Sequence, residues 1–262
     1  MQVVCIALVV GKTSNLADMM KEILGSAYNE NEVEAKFNLQ VLVVQQTLHM
    51  EQAPLFELPD DIKPISNSLL QKFRVYHPYL ESRGISEATA HIYDIGYEDE
   101  NKHIIFPIRD VYNRCIGVGR RSILQKEYFY PQNMVKPLYG VYELERPVRF
   151  LWVVEGPFNL WSLYEWDKQA VALLGTGTRL QYNQLLQIEC DGYVLALDPD
   201  NAGRNGTYKL GEFLLYNNKK VFVADLPDGK DVNDLTRDEF ENNLSVLDYG
   251  LWKNTYKSIL SI

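Results

Sequence analysis

The chain has 262 residues, of which 46% are hydrophobic and 23% are charged, and its formal net charge is −9. This is the composition of a globular protein with a real hydrophobic core, in one large or two small domains. It excludes a disordered tail, a collagen-like fibre and a disulfide-stapled mini-protein.

The start of the chain carries no predicted membrane or export signal. The apolar run from Val3 to Val10 is too short to span a bilayer, and it lacks the basic segment that precedes the apolar part of a signal peptide. The cysteines, Cys5, Cys115 and Cys190, are sparse and odd in number, which is typical of a reducing compartment. We therefore expect a cytoplasmic protein with no membrane contact.

Residues 1–68 are predicted to form an N-terminal segment and a linker. A β-rich stretch over 1–10 is followed by a helix from Asn15 to Leu24 and then by a second strand. Residues 51–68 contain three prolines and two adjacent aspartates, a composition typical of a linker.

Residues 69–147 are predicted to form a mixed α+β subdomain. Short β-rich runs joined by turns indicate an antiparallel sheet, and two helices precede it. The predicted elements are helices over 69–79 and 86–93 and strands around 103–109 and 115–121.

Basic residues are concentrated in the same part of the chain. Residues 101–150 contain nine basic and four acidic residues, a net charge of +5 in an otherwise acidic protein. A basic island of this kind either binds a polyanion or forms an ordinary solvated surface.

Residues 148–235 alternate between apolar strands and helices. The order β-α-β-α-β-α-β predicts a parallel sheet with helices on its faces and right-handed crossovers. Thr236 and Glu239 then form a capping-box pattern, which predicts a short helical C-terminus over 236–262. The predicted strands are 148–155, 170–174, 193–197 and 221–226, and the predicted helices are 157–166, 180–188 and 202–216.

Acidic residues follow three of these predicted strands. Glu155 follows the first, Asp198 and Asp200 follow the third, and Asp231 lies shortly after the fourth. Ligands bind such sheets beyond the carboxyl ends of the strands. Clustered carboxylates repel one another unless a cation neutralises them, and oxygen ligands without His or Cys suit Mg²⁺ or Mn²⁺. Each acid by itself is as readily explained as a helix cap or a solvated loop residue.

Several segments resemble the catalytic core of DnaG-type primases over residues 70–235. Three of them resemble a TOPRIM domain, which bacterial-type primases share with topoisomerases and some nucleases: Val153-Val-Glu-Gly-Pro-Phe-Asn, Leu174-Gly-Thr-Gly and Ala196-Leu-Asp-Pro-Asp-Asn-Ala-Gly-Arg-Asn-Gly. Others resemble the basic subdomain that precedes TOPRIM in these primases: Tyr79-Leu-Glu-Ser-Arg-Gly-Ile, Ile95-Gly-Tyr, Ile105-Phe-Pro-Ile-Arg-Asp, Ile116-Gly-Val-Gly-Arg-Arg and Leu138-Tyr-Gly. Leu226-Pro-Asp-Gly-Lys-Asp resembles the element after the last TOPRIM strand.

The resemblance implies a fold and a set of acidic site residues. The expected fold is an α/β TOPRIM sheet flanked by helices and preceded by the basic subdomain. The family's metal-binding acids fall on Glu155, Asp198, Asp200 and Asp231, the first three of them catalytic, and a two-ion Mg²⁺ or Mn²⁺ site is implied.

Two positions depart from the family's acidic pattern, and five basic residues complete the implied site. Asn159 and Asn233 stand where many members have an acid, and they are expected to form an accessory, less negative part of the metal shell. The residues implied to contact template or nucleotide phosphates are Arg109, Arg120, Arg121, Lys126 and Lys136. For each of these five, an ordinary surface cation is the alternative.

The ends of the chain depart most from the family. Cys5 and the segment after it resemble the remnant of a zinc ribbon, but too few Cys and His residues are present to bind zinc. The stretch after residue 235 is shorter than the family's helicase-binding domain. We therefore expect no zinc, and a replicative helicase or a separate zinc-bearing protein as partner.

The resemblance implies a DNA primase core, which is a nucleotidyltransferase that makes short RNA primers on single-stranded DNA from ribonucleoside triphosphates. The expected location is the cytoplasm of a bacterial cell, and the expected origin is a phage or another mobile element. Two alternatives remain at this point: a TOPRIM nuclease that uses the same acids, and a non-catalytic subunit that binds DNA or a helicase.

Overall fold

A computed structural model of the protein describes residues 64–66, 70–145 and 147–256. The elements predicted over residues 1–50, most of the predicted linker and the end of the C-terminal segment lie outside these residues. The strands are β1 (Gly96–Glu98), β2 (His103–Arg109), β3 (Cys115–Ser122), β4 (Tyr128–Phe129), β5 (Val148–Val154), β6 (Ala170–Ala172), β7 (Cys190–Leu195), β8 (Val221–Asp225) and β9 (Ser245–Asp248). The α-helices are α1 (Pro78–Ser82), α2 (Glu87–Ile92), α3 (Pro157–Glu165), α4 (Arg179–Leu186), α5 (Asn201–Tyr216) and α6 (Tyr249–Tyr256).

The predicted helix over 69–79 is wrong in its second half. Val75 is exposed and non-helical, and His77 is extended, with φ −103° and ψ 138°. Pro78 explains this, because the residue before a proline is driven away from the α region, whereas proline itself suits the first turn of a helix. The helix therefore begins at Pro78, and α2 follows after the predicted break, with Ser86 as its N-cap.

The first sheet is antiparallel, as predicted, with the strand order β1-β2-β3-β4. Its strands alternate between two faces, so that neighbouring residues of β3 point in opposite directions. Gly119 makes room for Phe106 on β2, since a Cβ at Gly119 would lie 2.2 Å from a ring carbon of that phenylalanine. One face of this sheet thereby packs closely on the aromatic core around Trp161.

The second sheet has the order β6-β5-β7-β8-β9. Strands β5 to β8 are mutually parallel, as predicted, and the predicted helices lie between them in sequence. The C-terminal segment was expected to be helical only, but β9 pairs antiparallel with β8 before α6 begins. Thr236 and Glu239 do cap each other, but the helical turn they open is a short π-helical one, Glu239–Asn243.

Two apolar layers cover the faces of the second sheet. Helix α3 and the first sheet pack on one face, around Trp161 and Phe158. Helices α5 and α6 pack on the other, around Leu210 and Trp252. Because β5, β6 and β7 are parallel, their carboxyl ends meet at one edge, and the β3–β4 hairpin lies against that edge through Tyr128. No helix within the described ranges is both long and apolar enough to cross a membrane.

Candidate active site

A cleft of about 240 Å³ lies where the two sheets meet. Its floor is formed by residues that follow β5, β6 and β7, and its walls by α3, the β3–β4 hairpin and the residue after α1. The lining residues are Arg83, Arg121, Lys126, Tyr128, Tyr130, Glu155, Gly156, Phe158, Asn159, Leu174, Gly175, Asp198 and Asp231.

Glu155 and Asp198 face each other at the edge of the parallel sheet. The backbone N–H of Asp198 donates to Oε1 of Glu155 at 3.3 Å. Helix α5 begins directly beside them, and Gly203 in its first turn allows this approach. A Cβ at position 203 would lie 2.1 Å from the carbonyl oxygen of Asp198 and 2.6 Å from Oε1 of Glu155.

Burial and mutual repulsion perturb both carboxyl groups. Burial, followed by the charge of Asp198, raises the pKa of Glu155 from its ordinary 4.5 to about 7. Burial, followed by the charge of Asp231, raises the pKa of Asp198 from 3.8 to about 6. Near neutral pH the cleft therefore favours binding of protons or of another cation.

We expect the divalent-free protein to lose stability as pH rises from about 4 to about 7. The folded state holds protons on Glu155 and Asp198 that the unfolded chain has already released over this range, so deprotonation favours unfolding. Thermal melting in a chelator at several pH values measures the effect. Glu155→Gln should flatten the pH dependence of its melting temperature relative to the wild type, and an unchanged profile would contradict the perturbed pKa of Glu155.

Asp231 is the third acid of the cleft, and it is only 8% exposed. It caps the short 3₁₀ turn Val232–Asp234, with Oδ1 accepting from the backbone N–H of Asp234 at 3.2 Å. Its other oxygen, Oδ2, accepts from Nζ of Lys126 at 2.6 Å. The structure thus brings together in the cleft three of the four predicted acids and two of the predicted basic residues, Arg121 and Lys126.

Asp200, the fourth predicted acid, is exposed and is not among the residues that line the cleft. Its side chain caps α5 by accepting from the N–H of Gly203 at 2.7 Å, as an aspartate at an N-cap commonly does. Its charge still acts on the cleft, because it contributes to the raised pKa values of Glu155 and Asp198.

The two asparagines at the departing positions have different places: Asn159 lines the cleft and bonds an acid, whereas Asn233 bonds Asn159 from outside the cleft. Nδ2 of Asn159 donates to Oδ1 of Asp198 at 3.2 Å, and Oδ1 of Asn159 accepts from the backbone N–H of Asn233 at 3.1 Å. The amide of Asn233 is bonded to Arg83 and Ser162, and Asn233 does not line the cleft. The structure therefore gives Asn233 a supporting position instead of the predicted place in the metal shell.

Arg121 is the predicted basic residue that the structure places deepest in the cleft. It is 4% exposed, and its guanidinium carbon lies 4.6 Å from the ring centroid of Phe158 and 5.5 Å from that of Tyr128. Tyr79 accepts a hydrogen bond from its Nη1. Its Nε is buried without a hydrogen-bond partner, so one N–H donor of the fork is unpaired.

Arg109 and Arg120, two other predicted basic residues, lie outside the cleft. Arg120 points to the opposite face of β3 from Arg121, and its Nε lies 3.7 Å from Oε2 of Glu98. Arg109 is buried and pairs with Asp94 at 2.5 Å. Neither arginine lines the cleft. Strand alternation directs Arg120 to the other face of β3, and a buried ion pair with Asp94 holds Arg109 away. The sequence alone did not reveal this ion pair.

Lys136 lies at the margin of the cleft, where its Nζ donates to the carbonyl of Leu174 at 2.7 Å and sits 4.4 Å from the ring centroid of Tyr130. Burial lowers its pKa. Leu174 has a positive φ of 56° in the turn after β6, and this conformation directs its carbonyl to the lysine.

Arg83 and an aromatic wall complete the lining of the cleft, and the sequence alone does not assign Arg83 to it. Arg83 belongs to the segment Tyr79-Leu-Glu-Ser-Arg-Gly-Ile, which gives it no site role; in the structure its Nε donates to Oδ1 of Asn233 at 2.6 Å and its Nη2 lies 3.2 Å from Asp234. Tyr128 and Tyr130 stack with their planes 4° apart along the cleft. Their alternation with exposed Phe129 was the available signal, since it places both tyrosines on the face that bears Arg121.

The residues of the cleft fit a hard divalent cation in chemistry, although no three acidic, His or Cys side chains within the described ranges form a ready-made metal site. The donor atoms of Glu155, Asp198 and Asp231 are carboxylate oxygens, which Mg²⁺ and Mn²⁺ prefer. Gly203 keeps the approach to Glu155 open. Lys126 already supplies a cation to Asp231, which shows that this part of the cleft attracts positive charge.

The sequence is similar to a known domain family and to curated primases. The family model described as Toprim-like matches residues 152–236. The DNA primase of Buchnera aphidicola is 33% identical over 162 residues, covering 55% of this chain and 27% of the relative. The DNA primase of Escherichia coli K12 is 32% identical over 158 residues, with the same coverage of both chains. The chain thus spans about a quarter of the length of the curated relatives it matches.

Solved structures show the same similarity. A DnaG catalytic core superposes with a TM-score of 0.56 at 26% identity, covering 66% of this chain and 74% of that one. The Aquifex aeolicus primase, with its zinc-binding and RNA polymerase domains, gives a TM-score of 0.60 at 23% identity, covering 73% and 62%, and at that identity it shows the fold alone. The chain therefore contains a Toprim-like domain, and it is similar in sequence to DNA primases and in fold to a DnaG catalytic core.

Proposed function

We propose that this chain is a DNA primase core that synthesises short RNA primers on single-stranded DNA. The observation that carries the proposal is the cleft itself, in which Glu155, Asp198 and Asp231 at the edge of the Toprim-like sheet face Arg121 and Lys126 from the basic subdomain. An acidic side that suits divalent cations and a basic side that suits phosphates are what nucleotidyl transfer requires.

The position of each side chain in the cleft decides whether it would bind metal ions, orient another residue or bind phosphate. Glu155, Asp198 and Asp231 would hold the divalent ions, which when bound would activate the primer 3′-hydroxyl and stabilise the leaving pyrophosphate. Asn159 keeps Asp198 in one orientation through its 3.2 Å hydrogen bond. Arg121, held by Tyr79 and Phe158, would present its guanidinium group to a phosphate without first losing side-chain freedom.

Labelled ribonucleotide incorporation on single-stranded templates tests this function, with Mg²⁺ and Mn²⁺ compared. We expect short RNA products that depend on the divalent ion. Cleavage of the template without RNA synthesis would instead indicate a nuclease, and DNA binding with neither product would indicate a non-catalytic subunit.

Partners and organisation belong to the same proposal. The phage T7 protein with a similar fold is described as a primase–helicase, with a TM-score of 0.53 at 20% identity. We propose that this chain likewise works with a replicative helicase, or with a zinc-bearing protein, in the cytoplasm.

The basic subdomain (69–147) and the Toprim-like domain (148–235) would together form the polymerase. They lie in sequence between the N-terminal segment (1–68) and the C-terminal segment (236–262). Adding the helicase from the same genome to the primer assay should increase primer yield, and an unchanged yield would contradict the partnership.

Arg121 and Arg120 form a matched pair of neighbours for testing template contact. Arg121→Gln should weaken binding to single-stranded DNA and reduce the slope of log affinity against log salt by about 0.7, the loss expected for one phosphate contact. Arg120→Gln should leave the slope unchanged, because Arg120 faces Glu98 on the other side of β3. Fluorescence anisotropy at several salt concentrations measures both, and equal effects of the two substitutions would contradict the assignment of the cleft face as the template-binding face.

A further inference from the structure

Lys126 occupies an unusual place for a residue expected to bind nucleic acid. Its Nζ lies 2.6 Å from Oδ2 of Asp231 and 4.0 Å from Oδ2 of Asp234. Its charge also opposes the rise in the pKa of Asp198 that burial and Asp231 cause. The lysine thus sits on the acids of the cleft rather than on its basic side.

With this contact, both oxygens of Asp231 accept a hydrogen bond. Oδ1 already accepts from the backbone N–H of Asp234 at 3.2 Å, and Oδ2 accepts from Lys126. A divalent ion that approaches Asp231 therefore meets a positive charge bonded to the same carboxylate, and the two cations repel each other at this distance. A divalent ion at Asp231 therefore competes with the ammonium group for the same carboxylate.

The side chain of Lys126 is free to move away from this contact, whereas the side chain of Asp231 is buried. The lysine side chain is 60% exposed and the aspartate side chain 9%. Residues 124–127 at the tip of the β3–β4 hairpin are all exposed, so the long side chain of Lys126 can swing without disturbing the core. Lys136, on the same margin, is held instead by a backbone carbonyl and by the ring of Tyr130.

We propose that Lys126 is the exchangeable counter-ion of Asp231: it neutralises this buried acid in the empty cleft, is displaced by the incoming divalent ion, and then contacts the phosphates of the nucleotide that arrives with it. The inference rests on the proposed function, since it takes the ion and the nucleotide from that function. It adds an order of events, in which the divalent ion releases the lysine that the nucleotide needs.

Removing Lys126 should change the affinities for ion and phosphate in opposite directions. In the full chain, Lys126→Gln should bind Mn²⁺ about five- to tenfold more tightly, because the competing cation is gone. At saturating Mn²⁺ it should bind inorganic tripolyphosphate about fivefold more weakly. Mn²⁺ binding is measured by electron paramagnetic resonance of the free ion, and tripolyphosphate binding by calorimetry.

Two variants serve as controls. Lys126→Arg keeps the cation and should bind Mn²⁺ within about twofold of the wild type. Lys136→Gln removes a nearby positive charge that is bonded to a carbonyl, and it should change Mn²⁺ affinity by less than about twofold at 0.15 M salt, where charges that are not in contact are screened.

Melting temperatures supply an independent measurement. In a chelator, Lys126→Gln should melt below the wild type, since it leaves a buried carboxylate without a counter-ion. Saturating Mn²⁺ should abolish the difference.

The outcomes separate this inference from the proposed function. Equal or weaker Mn²⁺ binding by Lys126→Gln would overturn the counter-ion role, and so would an absence of Mn²⁺ binding in both proteins. Tighter Mn²⁺ binding by Lys126→Gln, together with no primer synthesis by the wild type, would support the counter-ion role and refute the polymerase. Primer synthesis by the wild type, together with unchanged Mn²⁺ affinity in Lys126→Gln, would support the polymerase and overturn the counter-ion role.

Discussion

Asp198→Asn is expected to reduce primer synthesis by about a thousandfold or more while making the divalent-free protein more stable. Activity falls because a metal site supplies several kcal/mol of charge stabilisation, and each 1.36 kcal/mol is a factor of ten in rate. Stability rises because the substitution removes one of the mutually repelling carboxylates, whereas the asparagine oxygen still accepts from Asn159. Glu155→Gln should behave in the same way, since a glutamine oxygen can still accept from the N–H of Asp198.

Asp191→Asn is the matched control for this prediction. Asp191 is exposed at the start of β7, at the opposite end of the strand from Asp198, so the same chemical change should leave both activity and melting temperature unchanged. Incorporation assays and melting in a chelator at pH 7.5 measure the two effects. Full activity in Asp198→Asn, or a fall in its divalent-free melting temperature, would show that Asp198 does not belong to a repelling metal site.

Gly203→Ala is expected to destabilise the protein and to inactivate the cleft together. Alanine at a helical position normally adds about 1 kcal/mol of stability over glycine. Here the added methyl would lie 2.1 Å from the backbone carbonyl of Asp198 and 2.6 Å from Oε1 of Glu155. Overpacking typically costs about 1–3 kcal/mol, and a collision with backbone falls at the upper end of that range, so the steric cost exceeds the gain in helix propensity.

The expected net loss of about 1–2 kcal/mol corresponds to a fall in melting temperature of roughly 2–8 °C for a domain of this size. A displacement of the acids by about 1 Å would also reduce activity about a hundredfold. Gly250→Ala is the control, because Gly250 is exposed in the first turn of α6 and its Cβ would meet only the side chain of Asp248, at 3.1 Å. Calorimetry and the primer assay measure both effects, and a stabilised, active Gly203→Ala would mean that α5 does not press against Glu155 and Asp198.

The local sequence determined the order of most elements and the edge of the sheet at which the acids gather. Apolar runs separated by helical periods predicted parallel strands. Parallel strands align their carboxyl ends, so the sequence alone places Glu155 and Asp198 at the same edge of the sheet, and the strand order then makes them neighbours. The strands missed by this reasoning, β1, β4 and β9, are only two to four residues long, and on their own they carry too little apolar alternation to be told from turns.

Only the tertiary structure decided which side chains face the cleft. Arg120 and Arg121 are adjacent and chemically identical, yet pleating directs one to Glu98 and the other to Phe158. Asp200 became a helix cap, Asn233 became a partner of Arg83, and Lys126 reached Asp231 across 105 positions of sequence. These outcomes depend on which polar groups find partners when distant segments pack together, since buried donors and acceptors must be satisfied. That pairing is settled by the packing of whole elements, and a single sequence does not display it.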